Sequence, residues 1–130
     1  MIVDSSAILA ILLREPEADR LSAALLASAF PRMSAPNFLE LSMVSLSRRG
    51  PMGVTDVDLT LARFRIQVAP FTESQVLIAR QAFAKYGKGR HPAQLNFGDC
   101  IAYALATETG EELLFKGSDF GLTDVAVAPY

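Results

Sequence analysis

Apolar positions along the chain recur with two periods, and the places where one gives way to the other predict its elements. Met1 to Val3 is a short apolar run that stops at Asp4, too brief to stand alone and suited to a buried central strand. Helix is expected next. Ser5 or Ser6 can cap AILAILLRE, and Pro16 can open EADRLSAALLASA, in which Leu21, Leu25 and Leu26 share a face. Arg32 to Ala35 reads as a second strand, and Pro36 opens NFLELSMVSLSRR, which Gly50 closes. Thr55 and Asp58 have the spacing of a cap for DVDLTLARF, and Ile66 to Ala69 is a third strand.

A helix is expected from about Glu73 to Tyr86, with Val76, Ile78, Ala79, Ala82 and Phe83 as its apolar side. GKGRHPAQL then reads as a mobile, exposed loop. Asn96 caps FGDCIAYALATET, Gly110 ends it, and Leu113 to Phe115 and Val125 to Ala128 supply the last strands. Short apolar strands joined by helices imply an α/β domain over residues 1–130, with a mainly parallel sheet covered by helices on both faces. In such sheets ligands bind at the carboxyl ends of the strands.

Composition narrows the class. The 130 residues are 51% apolar and 20% charged, which is enough to form a core and excludes intrinsic disorder. The longest stretch without Asp, Glu, Lys or Arg runs from Leu21 to Pro31, too short for a membrane span. Asp4 ahead of the longest apolar run and the lack of a basic leader also argue against a secretory signal. The lone cysteine, Cys100, excludes a disulfide framework, so the cytoplasm is the expected compartment. Net charge is only −2, but it is unevenly placed: residues 61–96 carry six basic side chains and one acidic, and residues 97–130 carry one basic and six acidic.

Asp4, Glu40, Asp99 and Asp119 stand out because the strand pattern brings each toward the same sheet edge. Each also has a local explanation. Asp4 can cap the helix beginning at Ser5, Asp99 complements a helix N-terminus, Glu40 can be a surface residue, and Asp119 in GSDF can be a turn residue. Together they would repel one another unless a cation lay between them. With no His or Cys cluster, oxygen ligands favour Mg²⁺ or Mn²⁺ over zinc. One or two such ions would activate water and neutralise a phosphodiester.

The strings VDSSAILAILL, LELS around Glu40, YGKGRHPAQLNFGDCIAYALA and LLFKGSDFGLTDV resemble, in that order, the PIN-domain toxins of the VapC family. The resemblance covers essentially the whole chain. It implies a three-layer α/β/α PIN fold and a Mg²⁺-dependent endoribonuclease, the toxic half of a type II toxin–antitoxin pair. It further implies an RNA substrate, a cognate antitoxin and a homodimer. The family's four acids map to Asp4, Glu40, Asp99 and Asp119, with Asp4 and Asp99 the most consistent metal ligands. The chain departs from the family pattern twice. DSSA stands where DTSA is usual, and Ser118 replaces a second acid before Asp119, which leaves Asp124 as an alternative fourth acid.

The remaining polar residues are weighed around that site. Lys88 and Arg90, with Lys85 and Arg80 nearby, are candidates to bind an RNA backbone, although a basic loop can equally be an ordinary solvated face. Lys116 can contact phosphate or offset the acidic pocket. His91 is expected to face solvent or RNA and not to act as a base, and Cys100 to be a small buried hydrophobe. Two other readings exist: a receiver-like phosphoacceptor built on Asp4 and Lys116, and a catalytically silent PIN-fold binding protein.

Overall fold

In the computed structural model, which describes residues 1–130, the elements follow the alternating order expected of an α/β chain. They are β1 (Ile2–Val3), α1 (Ser5–Leu12), α2 (Ala18–Ala27), β2 (Arg32–Ser34), α3 (Ala35–Arg49), α4 (Pro51–Arg63), β3 (Gln67–Ala69), α5 (Glu73–Tyr86), α6 (Phe97–Thr109) and β4 (Leu113–Leu114). A short 3₁₀ turn follows over Phe120–Leu122. The four strands form one parallel sheet in the order β3-β2-β1-β4. The chain therefore winds outward from β1 through β2 to β3, then crosses back to lay β4 on the other side of β1. That reversal leaves a crevice at the carboxyl ends of β1 and β4.

Strand alternation explains the two cores. Val3, Met33 and Leu114 point to one face, where they join Ile8, Leu21, Leu25, Leu41, Val57 and Leu61 from α1 to α4. Ile2, Leu113 and Phe115 point to the other, where they meet Ala82, Tyr86, Ala102, Leu105 and Ala106 of α5 and α6. Ile2, Val3, Leu113 and Leu114 are fully buried. Each such side chain contributes roughly 1.5–3 kcal/mol, which is how strands of two or three residues persist. The result is the expected three-layer α/β/α arrangement. No helix is long and apolar enough to cross a membrane.

Several local expectations change. Of the candidate caps for α1 it is Asp4, not Ser5 or Ser6, that caps it, and α1 ends at Leu12, two residues before Arg14 takes φ 54°. Pro16 lies outside α2, whose first residue is Ala18. Leu26 is 58% exposed, so only Leu21 and Leu25 form the inner face of α2. Helix α4 starts at Pro51, which leaves Thr55 inside it, donating to the Pro51 carbonyl at 3.4 Å. The presumed cap is thus an interior residue bonding one turn back. On α5, Val76 and Phe83 are exposed, while Ile78, Ala79 and Ala82 face the core as expected, together with Gln75 and Tyr86.

The segment from Gly87 to Leu95 is anchored, contrary to the expectation of a mobile loop. Ala93 and Leu95 are fully buried, and the Lys88 N–H bonds the Leu95 carbonyl at 3.0 Å. The last expected strand shrinks to a bridge at Val127, because the 126–128 backbone pairs with Leu113 alone.

Candidate active site

The helix starts built at the carboxyl edge of the sheet place three carboxylates around one cavity. The cavity measures about 180 Å³ and is lined by Asp4, Ser5, Ser6, Glu40, Asn96 and Asp99 together with the apolar Leu9, Leu41 and Val44. Asp4 follows β1 directly, and its Oδ2 accepts from the Ser6 N–H at 2.9 Å. Its Oδ1 is buried and has no partner. The cap is thus real, yet it uses one oxygen and leaves the other free. Burial is the main reason the Asp4 carboxyl is pushed up to about 6, against the hydrogen bond from Ser6 and with the charges of Asp99 and Glu40 adding to it.

Asp99 repeats the pattern on α6. Its Oδ2 accepts from the Asn96 N–H at 2.8 Å while the Asn96 side chain accepts from the Asp99 N–H at 2.9 Å, a reciprocal capping box. Desolvation raises the Asp99 pKa, the Asn96 N–H opposes it, and Asp119 and Glu40 raise it further. Asp119 lies outside the cavity lining, on the exposed segment after β4, but near enough for its charge to act on Asp99.

Glu40 reaches the cavity from α3, where Ser5 Oγ donates to its Oε2 at 3.2 Å. Its carboxylate lies against the backbone of Gly98: a Cβ at that position would stand 2.5 Å from Oε2. One turn earlier on α3, the buried Asn37 donates from Nδ2 to the Gly98 carbonyl at 3.0 Å. Asn37 and Gly98 therefore join the two helices that carry Glu40 and Asp99. Neither was singled out from sequence. The available signal was the three-residue offset of Asn37 from Glu40, which puts both on one helical face.

Whether these residues fit a cation turns on their chemistry. All the charged donors are oxygens, Asp4 offers a buried unpartnered one, and the carboxylates burden one another with like charge. No three His, Cys, Asp or Glu side chains are drawn together tightly enough to chelate an ion unaided. The four acids expected to converge around a cation are therefore more widely spaced than that expectation required. Such spacing suits a hard ion that keeps several waters and takes only one or two carboxylates directly, and it excludes a closed tetrahedral zinc site.

Other expected site residues are placed elsewhere or engaged otherwise. The Lys116 ammonium pairs with Glu15, and it is the Lys116 N–H that touches the site, donating to Ser6 Oγ at 3.0 Å. Lys88 and Arg90 are exposed on the anchored loop, with Arg90 over the Phe83 ring at 5.8 Å. His91 Nδ1 accepts from the Ala93 N–H at 3.1 Å, and its ring stands edge-on to Tyr86 at 5.1 Å, so it shapes the loop. Burial, with Asp99 adding to it, pushes the Cys100 thiol up to about 11, which keeps it protonated. Asp124 sits apart: its oxygens accept from Tyr103 and Lys85, and these two bonds hold its carboxyl down at about 2.

Comparison with known proteins agrees with this geometry. The PIN domain family matches residues 1–126. A Ribonuclease VapC of Mycolicibacterium smegmatis is 45% identical over 126 residues, covering 97% of this chain and 98% of that protein. Among solved structures, VapC20 of Mycobacterium tuberculosis, described as a Sarcin-Ricin loop cleaving toxin, superposes with TM-score 0.77 at 15% identity, covering 98% of each chain. A toxin–antitoxin complex from Klebsiella pneumoniae superposes with TM-score 0.74 at 15% identity, covering 99% of this chain and 97% of that one. Nucleases of the PIN domain generally use divalent metal ions. Its sheet order, its acidic crevice and a relative nearly half identical along almost the full length agree: the chain belongs to the PIN-domain family, among its VapC ribonucleases.

Proposed function

We propose that this protein is a Mg²⁺- or Mn²⁺-dependent endoribonuclease and the toxin of a toxin–antitoxin pair, with Asp4, Glu40, Asp99 and Asp119 as its metal-holding acids. The observation that carries the reading is the cavity shared by Asp4, Glu40 and Asp99, with a buried carboxylate oxygen of Asp4 that no protein group satisfies. When bound, one or two divalent ions supply an activated water and neutralise the phosphodiester. The chain's own residues do the rest. Ser6 and Asn96 orient Asp4 and Asp99 through the two helix caps, and Ser5 and Gly98 set where Glu40 lies. Lys88 and Arg90 are exposed cations on a backbone anchored a few residues before Asp99, suited to hold RNA phosphates. Lys116, already paired with Glu15, supports the site chiefly through its N–H.

Apolar side chains left outside the cores favour protein partners. Leu39, Met43 and Leu46 form an exposed stripe on α3, and Phe97 is 81% exposed beside a groove between α5 and α6. A homodimer and an antitoxin are the occupants proposed for such surfaces, in keeping with the Klebsiella complex of the same fold. Action on cellular RNA places the protein in the cytoplasm. The receiver-like alternative finds no support, since β2 and β3 end in Ser34 and Ala69 and offer no acceptor carboxylate. A silent binding protein would have no reason to retain a buried, unpartnered Asp4 oxygen.

The test is cleavage of RNA by the parent and by Asp99→Asn, with Mg²⁺ and with a chelator. Cleavage by the parent that the chelator stops, and its absence in a folded Asp99→Asn protein, is the expected result. Undiminished cleavage by Asp99→Asn would overturn the assignment.

A further inference from the structure

Resting on that nuclease reading, we infer that Asp124 is not a spare ligand but the positioning residue that fixes Asp119 beside Asp99, by tying the segment after β4 to helix α6 through Tyr103. The stretch from Lys116 to Asp124 contains only the 3₁₀ turn over Phe120–Leu122, and its first four residues are exposed. A segment of this kind takes its shape from its attachments. At its start the Lys116 N–H is held by Ser6 Oγ. In the middle Phe120 is buried, its ring edge-on to Phe115 at 4.9 Å. At its end Asp124 Oδ1 accepts from the Tyr103 hydroxyl at 2.5 Å and Oδ2 from Lys85 Nζ at 3.0 Å.

The identity of the anchor gives this attachment its meaning. Tyr103 lies four residues after Asp99 on α6, one turn along the same helix. It is largely buried and packs against Tyr86 at 6.0 Å, so its hydroxyl is a fixed point. Thr123 extends the tie backward, its Oγ1 donating to the Phe120 carbonyl at 2.7 Å and accepting from the Val125 N–H at 3.3 Å. A bond at Asp124 thus registers the Asp119 segment against the helix that carries Asp99. Lys85 adds less, because both partners of that ion pair are more than half exposed, at 63% and 57%. Both Asp124 oxygens are occupied, and its carboxylate lines a different cavity, with Tyr103, Ala106 and Thr107.

The experiment measures Mn²⁺ uptake by the RNA-free protein, from the paramagnetic resonance of free Mn²⁺, together with cleavage. Parent, Tyr103→Phe, Asp124→Asn and Lys85→Ala are compared, each also in an Asp119→Asn background. Tyr103→Phe and Asp124→Asn should each weaken Mn²⁺ binding about fivefold, equivalent to about 1 kcal/mol, and lower cleavage in step. Lys85→Ala should change either by less than about twofold. Both losses should vanish when Asp119 is already Asn. Full persistence in that background, or an unaffected Tyr103→Phe protein, overturns the inference. So does abolition of binding by Asp124→Asn alone, which would make Asp124 a ligand. Should Asp124→Asn fail to fold, Tyr103→Phe carries the test. An active Asp99→Asn protein would defeat the assignment of the metal-holding acids on which this inference rests, whereas an inactive one beside an unaffected Tyr103→Phe defeats only this inference.

Discussion

Asp4→Asn should stabilise the metal-free protein while abolishing its cleavage of RNA. The parent holds a wholly buried carboxyl with one unpartnered oxygen, pushed up from 3.8 to about 6 by desolvation first and by Asp99 and Glu40 after the opposing Ser6 bond. Because the folded value lies above the unfolded one, the fold is favoured with the group protonated, below pH 3.8, and loses that advantage as pH rises through about 6. At about 1.4 kcal/mol for each pH unit, the ionised form costs the fold about 3 kcal/mol at pH 7. Asparagine removes the charge and remains a good cap acceptor for the Ser6 N–H. Urea denaturation of both proteins in chelator, from pH 4 to pH 7.5, reads the difference. Asp4→Asn should lead by up to about 3 kcal/mol at neutral pH, and the lead should close toward pH 4. Mg²⁺ should stabilise the parent and leave the variant unmoved. A variant less stable than the parent at pH 7, or a gap independent of pH, would refute the reasoning.

Gly98→Ala sets a Cβ where the Glu40 carboxylate lies, 2.5 Å from Oε2, so cleavage should fall at least tenfold by the order-of-magnitude cost of misplacing a site group. Thermal stability should hold, since the flexible end of Glu40 can yield and alanine is the better helix former. Asn37→Ala leaves the Gly98 carbonyl without its buried donor and should cost about 1–3 kcal/mol in urea denaturation. Replacing Lys88 and Arg90 together by Ala should weaken RNA binding and flatten its dependence on salt by about two charges. An unaltered slope would clear the loop of phosphate contact.

How legible each feature was depends on how far apart in the chain its partners lie. The extent of helix α5, Glu73 to Tyr86, was readable because helical spacing acts within a few residues, although the side it buries was only partly so. The Asn96–Asp99 cap and the Gly110 stop were readable for the same reason, as hydrogen bonds and φ preferences acting within a few residues. The three carboxylates that share the cavity, Asp4, Glu40 and Asp99, were legible as motif, and their sheet edge as topology. The start of α4 was misread because Pro51 after Gly50 begins a helix as readily as Thr55 does, and local chemistry could not rank the two.

Sequence by itself thus determined the element order, the Asn96 cap and Gly110 stop of α6, and the set of carboxylates available for chemistry. Tertiary structure alone decided which sides of α2 and α5 are covered, and that the basic loop is pinned by the buried Ala93 and Leu95. It also decided that Gly98 makes room for Glu40, and that Asp124 is bound to Tyr103 and Lys85. Burial and electrostatic coupling belong to pairs of distant segments, and only the packed sheet brings those segments within reach of one another.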